Sequence, residues 1–330
     1  MMILSNEKIL KMTVDFPEEF NEGINDNFIT LKFKPINIFY SGMGGSGVCG
    51  EVIKNLLKSK NIQVHINHSY DYFSNKFSGN DIHIFSSYSG NTEETLTAFR
   101  KAGNIGNRNI ITSGGKLEEM AMEQNLQVIK LKKGYQPRII FPYTLGAILT
   151  FLNYFKMYQD VGPKMIVEHL KAIKNDSSVH KTLKQIAASI EDNIVSIFNS
   201  FDITGVALRL SAQMNENSKL YTHISNFPEC NHNEILAMEH MKKLPLKAIF
   251  IESKYDYDRI KLRMDIIRNM LKNSGIEIFC LKTDSINYLD EVVSLIYMGD
   301  MLSVYTAINR GVVAGDIDEI EDLKKELKKR

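Results

Sequence analysis

The chain has no tryptophan, three cysteines and seven prolines in 330 residues. Cys49, Cys230 and Cys280 are odd in number and no C-x-x-C occurs. That excludes a disulfide framework and a zinc knuckle, and fits a reducing, cytoplasmic setting. An excess of one charge is missing as well: 40 basic residues face 39 acidic ones, for a net charge of +1. Dedicated binders of nucleic acid or anionic membrane carry a basic excess, so neither partner is expected, although a local anion site is compatible. The opening residues, Met1-Met2-Ile3-Leu4-Ser5-Asn6-Glu7, hold no basic leader and do not read as a signal peptide. One uncharged run, Ile139 to Phe155, approaches the roughly 17 residues of the shortest membrane spans. Pro142, Tyr143, Thr144, Gly146 and Asn153 interrupt it, so a buried helix and no membrane span is expected.

What is present is a globular composition, 44% hydrophobic and 24% charged. The length suggests about two domains of ~150 residues. Short apolar runs at Ile36–Tyr40, Ile62–Ile66, Ile82–Ser86, Asn109–Thr112 and Leu126–Leu131 alternate with helical patterns. The alternation resumes at Lys247–Ile251 and Ile276–Leu281, followed by a long helix from Leu289 to Arg310 and a charged one from Asp318 to Lys329. This pitch predicts an α/β fold with parallel sheets covered on both faces. The expected division is 1–155 (an α/β domain), 156–200 (a helical connection), 201–310 (a second α/β domain) and 311–330 (a C-terminal helix).

Two loops look built for phosphate. Gly42-Met43-Gly44-Gly45-Ser46-Gly47 fits G-x-G-x-x-G between a strand and a helix. A dinucleotide site expects an acid at the end of the next strand, but Ile66 is followed by Asn67 and His68, with Asp71 further on. Ser87-Tyr88-Ser89-Gly90-Asn91-Thr92 brings three hydroxyls to a helix N-terminus, where free N–H groups and the helix dipole favour an anion. An ordinary helix cap needs only one of those hydroxyls.

Three further residues carry candidate chemistry. Arg138, in Gln136-Pro137-Arg138, stands beside the uncharged run, where it either pairs structurally or stabilises developing negative charge. Glu216 and His232 flank a polar stretch that reads as a helix end, a loop and a helix start. If they face one pocket they can move protons at neutral pH, and the plain alternative is a helix brace and a satisfied loop histidine. His223, Glu229, His232, Glu234, Glu239 and His240 crowd one region, yet neither H-x-x-x-H nor H-E-x-x-H occurs, so no metal is expected there.

The glycine loop, the serine loop, Gln136-Pro137-Arg138 and the pair of stretches Asn215-Glu216-Asn217-Ser218-Lys219 and Pro228–Ile235 occur in the order found in the archaeal-type bifunctional phosphoglucose/phosphomannose isomerases. The chain resembles that family from about Ile36 to its last helix. The resemblance implies two sugar-isomerase-type domains, each a mostly parallel sheet flanked by helices, with a C-terminal helical tail. It also implies a small sugar phosphate as ligand, no cofactor, no metal and a homodimer. By resemblance, Gly44, Gly45, Ser46, Ser87, Ser89 and Thr92 hold the phosphate, His232 opens the ring, Glu216 carries the proton between C1 and C2, and Arg138 holds the enediolate. The family's C-terminal I-x-x-L-K-x-x-L falls on Ile320, Leu323, Lys324 and Leu327 and makes Lys324 its lysine; a solvated basic face is the other reading. One departure stands out: Gly311-Val312-Val313-Ala314-Gly315-Asp316 lacks the Asp-Pro and the threonine of the family, which bears on substrate choice. The competing functions are a sugar-phosphate-binding regulatory module, a glucosamine 6-phosphate isomerase or deaminase, and a dinucleotide-dependent dehydrogenase.

Overall fold

Two parallel sheets form where the apolar runs alternate with helices. The computed structural model describes residues 4–329 other than 27, 75 and 159–160. Its first sheet contains β1 (Asn37–Gly42), β2 (Gln63–Asn67), β3 (Ile82–Ser86), β4 (Arg108–Thr112) and β5 (Gln127–Lys130), in the order β2-β1-β3-β4-β5. The second contains β6 (Ile194–Ser200), β7 (Thr222–Phe227), β8 (Leu246–Ile251) and β9 (Glu277–Leu281), in the order β7-β6-β8-β9. Every pairing is parallel.

Helices α1 (Asn6–Val14) and α2 (Phe16–Asn25) lead into the first sheet. Within it, α3 (Gly44–Leu57), α4 (Glu93–Ala102) and α5 (Gly115–Glu123) make the crossovers. The segment α6 (Phe141–Phe151), α7 (Tyr154–Met157), α8 (Pro163–Asn175) and α9 (Ser177–Ile190) joins the halves. Around the second sheet lie α10 (Thr204–Ser218), α11 (Asp258–Asn273) and α12 (Tyr288–Asn309), and α13 (Asp318–Lys328) follows. The uncharged run forms α6, buried except at part-buried Thr150, and turns at Asn153, whose φ of 54° is left-handed. Length and apolarity alone would let α12 cross a membrane, but 94% of its apolar window is buried inside the fold. It packs in one continuous core with residues of both sheets, including Ile38, Ile84, Ile197 and Ile249.

Two strands depart from the sequence reading. β6 lies inside 156–200, which was expected to be a helical connection. Six of its seven residues are buried, so it shows no alternation; Ser196 Oγ pairs with Ser225 Oγ and Asn199 Nδ2 donates to Asn226 Oδ1, both on the neighbouring strand. β7 lies between Glu216 and His232, where only a loop was expected. Its polar His223 and Ser225 reach Glu234: His223 Nε2 is 3.3 Å from the carboxylate and the Ser225 hydroxyl donates to it. Without that partner these residues would disfavour a strand.

The helices set the site's position. Gly205, at the start of α10, lies against Val52 and Asn55 near the end of α3; a Cβ there would stand 2.9 Å from Val52 backbone atoms. The Gly205 N–H also donates to Asn55 Oδ1 at 2.7 Å. The two helices therefore run antiparallel, and the end of α10, with Glu216, comes back toward the glycine loop that opens α3.

Candidate active site

β1 and β3 are neighbours, with Gly42 paired to Ser86, so the glycine and serine loops leave the sheet side by side. Thr92 takes the N-cap position of α4, yet its hydroxyl makes no capping bond. It pairs instead with buried Ser87 Oγ at 2.8 Å. First-turn N–H groups of α4 are thus left for another acceptor. Ser89 is exposed and its hydroxyl accepts the Asn91 N–H at 3.2 Å. Gly90, at φ +66°, lets this loop close on the next one; a Cβ would sit 1.7 Å from Gly114 O. His68 holds the glycine loop from its other side: Nδ1 is 2.7 Å from Gly42 O and Nε2 is 3.4 Å from Glu51. Hydrogen bonding to Glu51 raises the His68 pKa, and the same bond lowers that of Glu51.

The glycine loop meets the arginine directly. A Cβ on Gly45 would lie 3.2 Å from Pro137 O and 3.5 Å from Arg138 Cα. Gly44 and Ser46 flank it at the first turn of α3. Arg138 is only 3% exposed. Its Nε donates to Asn217 Oδ1 at 2.7 Å, Nη2 to Ala314 O at 2.5 Å, and Nη1 lies 3.3 Å from Glu216 Oε2. Burial pulls the Arg138 pKa down from its ordinary value, and the Glu216 carboxylate opposes that shift. Beneath it, Arg209 forms a bidentate pair with buried Asp300 at 2.9 and 2.8 Å and donates to Arg138 O at 2.6 Å. Asn217 is held in turn by Ser303 Oγ at 2.9 Å. The guanidinium is a fixed positive plane beside a carboxylate, able to stabilise an oxyanion without reorganising.

Arg138 and Glu216 are therefore brought together with the glycine loop. His232 is not. It is exposed and belongs to the short 3-10 turn Glu229–His232. That turn and the one after it pack with α11, through Cys230, Met238 and Met264, on one face of the second sheet. Residues Leu210 and Met214 of α10, the helix that carries Glu216, pack with the core on the other face. Among the described residues no hydrogen bond or ion pair joins His232 to Glu216 or Arg138. The two residues are 16 apart in sequence, but a strand and the thickness of the sheet separate them. Lys324 is not brought to Arg138 either. It is exposed on α13 and pairs with Glu321 at 2.8 Å. The apolar residues that set its register, Ile320, Leu323 and Leu327, are 43%, 61% and 53% exposed, so their spacing does not report packing against the site.

The residues that sequence reasoning missed are the ones that hold the arginine. Asn217, Arg209, Asp300 and Lys219 are polar groups inside or at the ends of well-packed helices. Arg209 and Asp300, as charges within apolar helical stretches, gave a signal that could have been followed. Lys219 Nζ donates to Glu216 O and to Asp316 O, each at 2.7 Å. Burial and the charge of Arg138 hold its amine below the usual lysine range, against the pull of Asp316, Glu319 and Glu216.

Residues 180–327 match the bacterial phospho-glucose isomerase C-terminal SIS domain. The whole fold is similar to the C-terminal domain of glucosamine-fructose-6-phosphate aminotransferase from Francisella tularensis, with a TM-score of 0.69 at 15% identity, covering 92% of this chain and 96% of that one. It is also similar in fold to a putative phosphosugar isomerase from Clostridium difficile 630, with a TM-score of 0.68 at 15% identity, covering 95% of each chain. The chain is 31% identical to the bifunctional phosphoglucose/phosphomannose isomerase of Aquifex aeolicus, over 98% of this chain and 99% of that protein. The chain belongs to the bifunctional phosphoglucose/phosphomannose isomerase family. A D-glucosamine-6-phosphate 4-epimerase of Sulfolobus acidocaldarius is 36% identical over a smaller share, 60% of this chain and 62% of the epimerase.

Proposed function

We propose that the protein is an aldose–ketose isomerase that interconverts fructose 6-phosphate with glucose 6-phosphate and with mannose 6-phosphate. The observation that carries this reading is the buried Arg138 guanidinium, fixed between the glycine loop and the Glu216 carboxylate at 3.3 Å. The substrate phosphate sits on Ser87, Ser89, Thr92 and the first turn of α4, with Gly44, Gly45 and Ser46 lining the same pocket. Glu216 carries the proton between C1 and C2. Arg138 stabilises the enediolate formed in between, which is the role its rigid mounting suits. Reprotonation of C2 on its other face, after rotation about C2–C3, gives the mannose epimer. No step needs a metal or a cofactor.

Ring opening is assigned to His232, and its place on the far face of the second sheet supports a homodimer in which a second copy supplies it. Lys324, remote from Arg138 within one chain, would reach a site only by the same route. The free thiols of Cys49, Cys230 and Cys280 support a reducing, cytoplasmic setting.

The test is purified protein with fructose 6-phosphate and EDTA, with glucose 6-phosphate and mannose 6-phosphate assayed together. Both products support a dual-specificity site; glucose 6-phosphate alone narrows the substrate range. Neither product, with fructose 6-phosphate still bound, overturns the enzyme reading in favour of a binding module. Size-exclusion chromatography with light scattering tests the dimer: an active monomer removes the assignment of His232 to a partner copy.

A further inference from the structure

Three consecutive backbone carbonyls face the site. Ala314 O accepts Arg138 Nη2 at 2.5 Å, Gly315 O accepts Gln136 Nε2 at 3.0 Å, and Asp316 O accepts Lys219 Nζ at 2.7 Å. The turn that carries them is tied to the other end of the chain. Asn6 Nδ2 donates to Val312 O and Asn6 Oδ1 accepts the Ala314 N–H, both at 2.7 Å. Gly315 lies so close to Leu4 that a Cβ would stand 2.2 Å from Leu4 O. Gln136 and Arg138 are almost fully buried, so these bonds are made away from water.

Lys219 closes the arrangement from the second domain. It is the residue just past α10, and its φ of 54° is left-handed. That position ordinarily takes glycine, because a Cβ is strained there. A lysine held against that preference points to its side chain. The ammonium bridges Glu216 O to Asp316 O, so it links the helix turn bearing the carboxylate to the turn that grips the arginine.

We infer that residues 314–316 form a backbone clamp that sets the distance between Arg138 and Glu216, and that Lys219 is the positioning residue that closes it. Lys219 acts through the two groups it aligns and needs no contact with substrate. The inference rests on the isomerase reading for its kinetic consequence, but the clamp itself can be read without catalysis. Small displacements of reacting groups cost up to about 100-fold in rate, and an interaction needed only at the transition state lowers kcat without raising KM.

The experiment compares Lys219→Gly, Lys219→Met and Lys219→Arg with the parent. Lys219→Gly relieves the left-handed strain, so its melting temperature should equal or exceed that of the parent while kcat falls about 10- to 100-fold and KM for fructose 6-phosphate stays within about threefold. Lys219→Arg should recover part of the loss that Lys219→Met shows. Amide hydrogen exchange, measured without substrate, should speed up over 312–318 in the glycine and methionine variants. Parent-like kcat in those two variants, a loss confined to KM, or unchanged exchange over 312–318 overturns the inference. A parent protein with no isomerase activity refutes the isomerase reading instead, and the exchange measurement still decides whether the clamp exists.

Discussion

The two sheets use one strand plan to opposite ends. The order β7-β6-β8-β9 repeats β2-β1-β3-β4, so the loop after β8 stands where the serine loop stands after β3. Parallel sheets gather ligand sites at these carboxyl ends. After β3 the hydroxyls of Ser87, Ser89 and Thr92 face an uncapped helix N-terminus. After β8 the chain reads Glu252-Ser253-Lys254-Tyr255-Asp256, and the protein's own carboxylates take the donors. Fully buried Glu291, from α12, accepts the Lys254 N–H at 3.0 Å and the Ser253 hydroxyl. Asp256 accepts the Ser253 N–H at 3.4 Å and the Ser200 hydroxyl, and burial raises its pKa. A cavity of about 290 Å³ remains alongside, but Arg268 and Glu252 on its wall pair with each other at 2.6 Å. One topology leaves the first-turn N–H groups of α4 without a side-chain cap after β3, and has carboxylates accept the donors after β8.

That contrast can be broken most severely at the reacting centre. Glu216→Gln should lower kcat about 10³-fold, within the range for a general base, and abolish proton exchange at C2 while fructose 6-phosphate still binds. Near-parent turnover would remove Glu216 as the base. In the second sheet the carboxylate should matter for folding alone. Glu291→Ala leaves the Lys254 N–H and the Ser253 hydroxyl proton without their acceptor and should cost about 3 kcal/mol in denaturant unfolding, with KM unchanged. A raised KM there would mean the filled pocket also serves the substrate. In the first sheet the balance reverses: Ser87→Ala should raise KM for fructose 6-phosphate about tenfold, the loss of one hydrogen bond to a charged group, with little change in stability.

The smallest effect concerns the Glu51–His68 bond, which braces the glycine loop from the turn after β2. Glu51 is lowered from 4.5 and His68 is raised from 6.5. The Glu51 contribution is lost as pH falls through its lowered folded pKa, and the His68 contribution is lost as pH rises through its raised folded pKa. The bond should therefore stabilise most between pH 4.5 and 6.5. Because the pair is half exposed, its worth is below about 1 kcal/mol. Thermal melts across pH should show the His68→Gln variant losing this maximum; identical profiles for the two proteins would discount the bond.

Much of the first domain was legible. Runs such as Ile82-His83-Ile84-Phe85 announce a buried parallel strand, and the glycine and serine loops announce what stands at its end. β6 was hidden because a strand buried on both faces shows no alternation. β7 was hidden because its polar residues are satisfied from Glu234, a partner that local pattern cannot supply. The placing of Glu216 and His232 in one pocket followed from their nearness in sequence, and the unseen strand undid it within one chain. Arg138 was legible as a candidate, but its mounting was not, since backbone carbonyls carry no residue signature. The departure at Gly311–Asp316 was read for substrate choice alone; that Ala314 O in this segment accepts a bond from Arg138 was not legible.

The tie between Asn6 and residues 312–314 has a consequence for how the molecule is made. Both sheets can form on the ribosome well before residue 316 emerges, since a chain folds domain by domain as it is synthesised. The arginine has no carbonyl to grip until that residue is free of the exit tunnel. The buried acceptor of the Arg138 guanidinium thus arrives last, after β9 and the core helix α12 have been made.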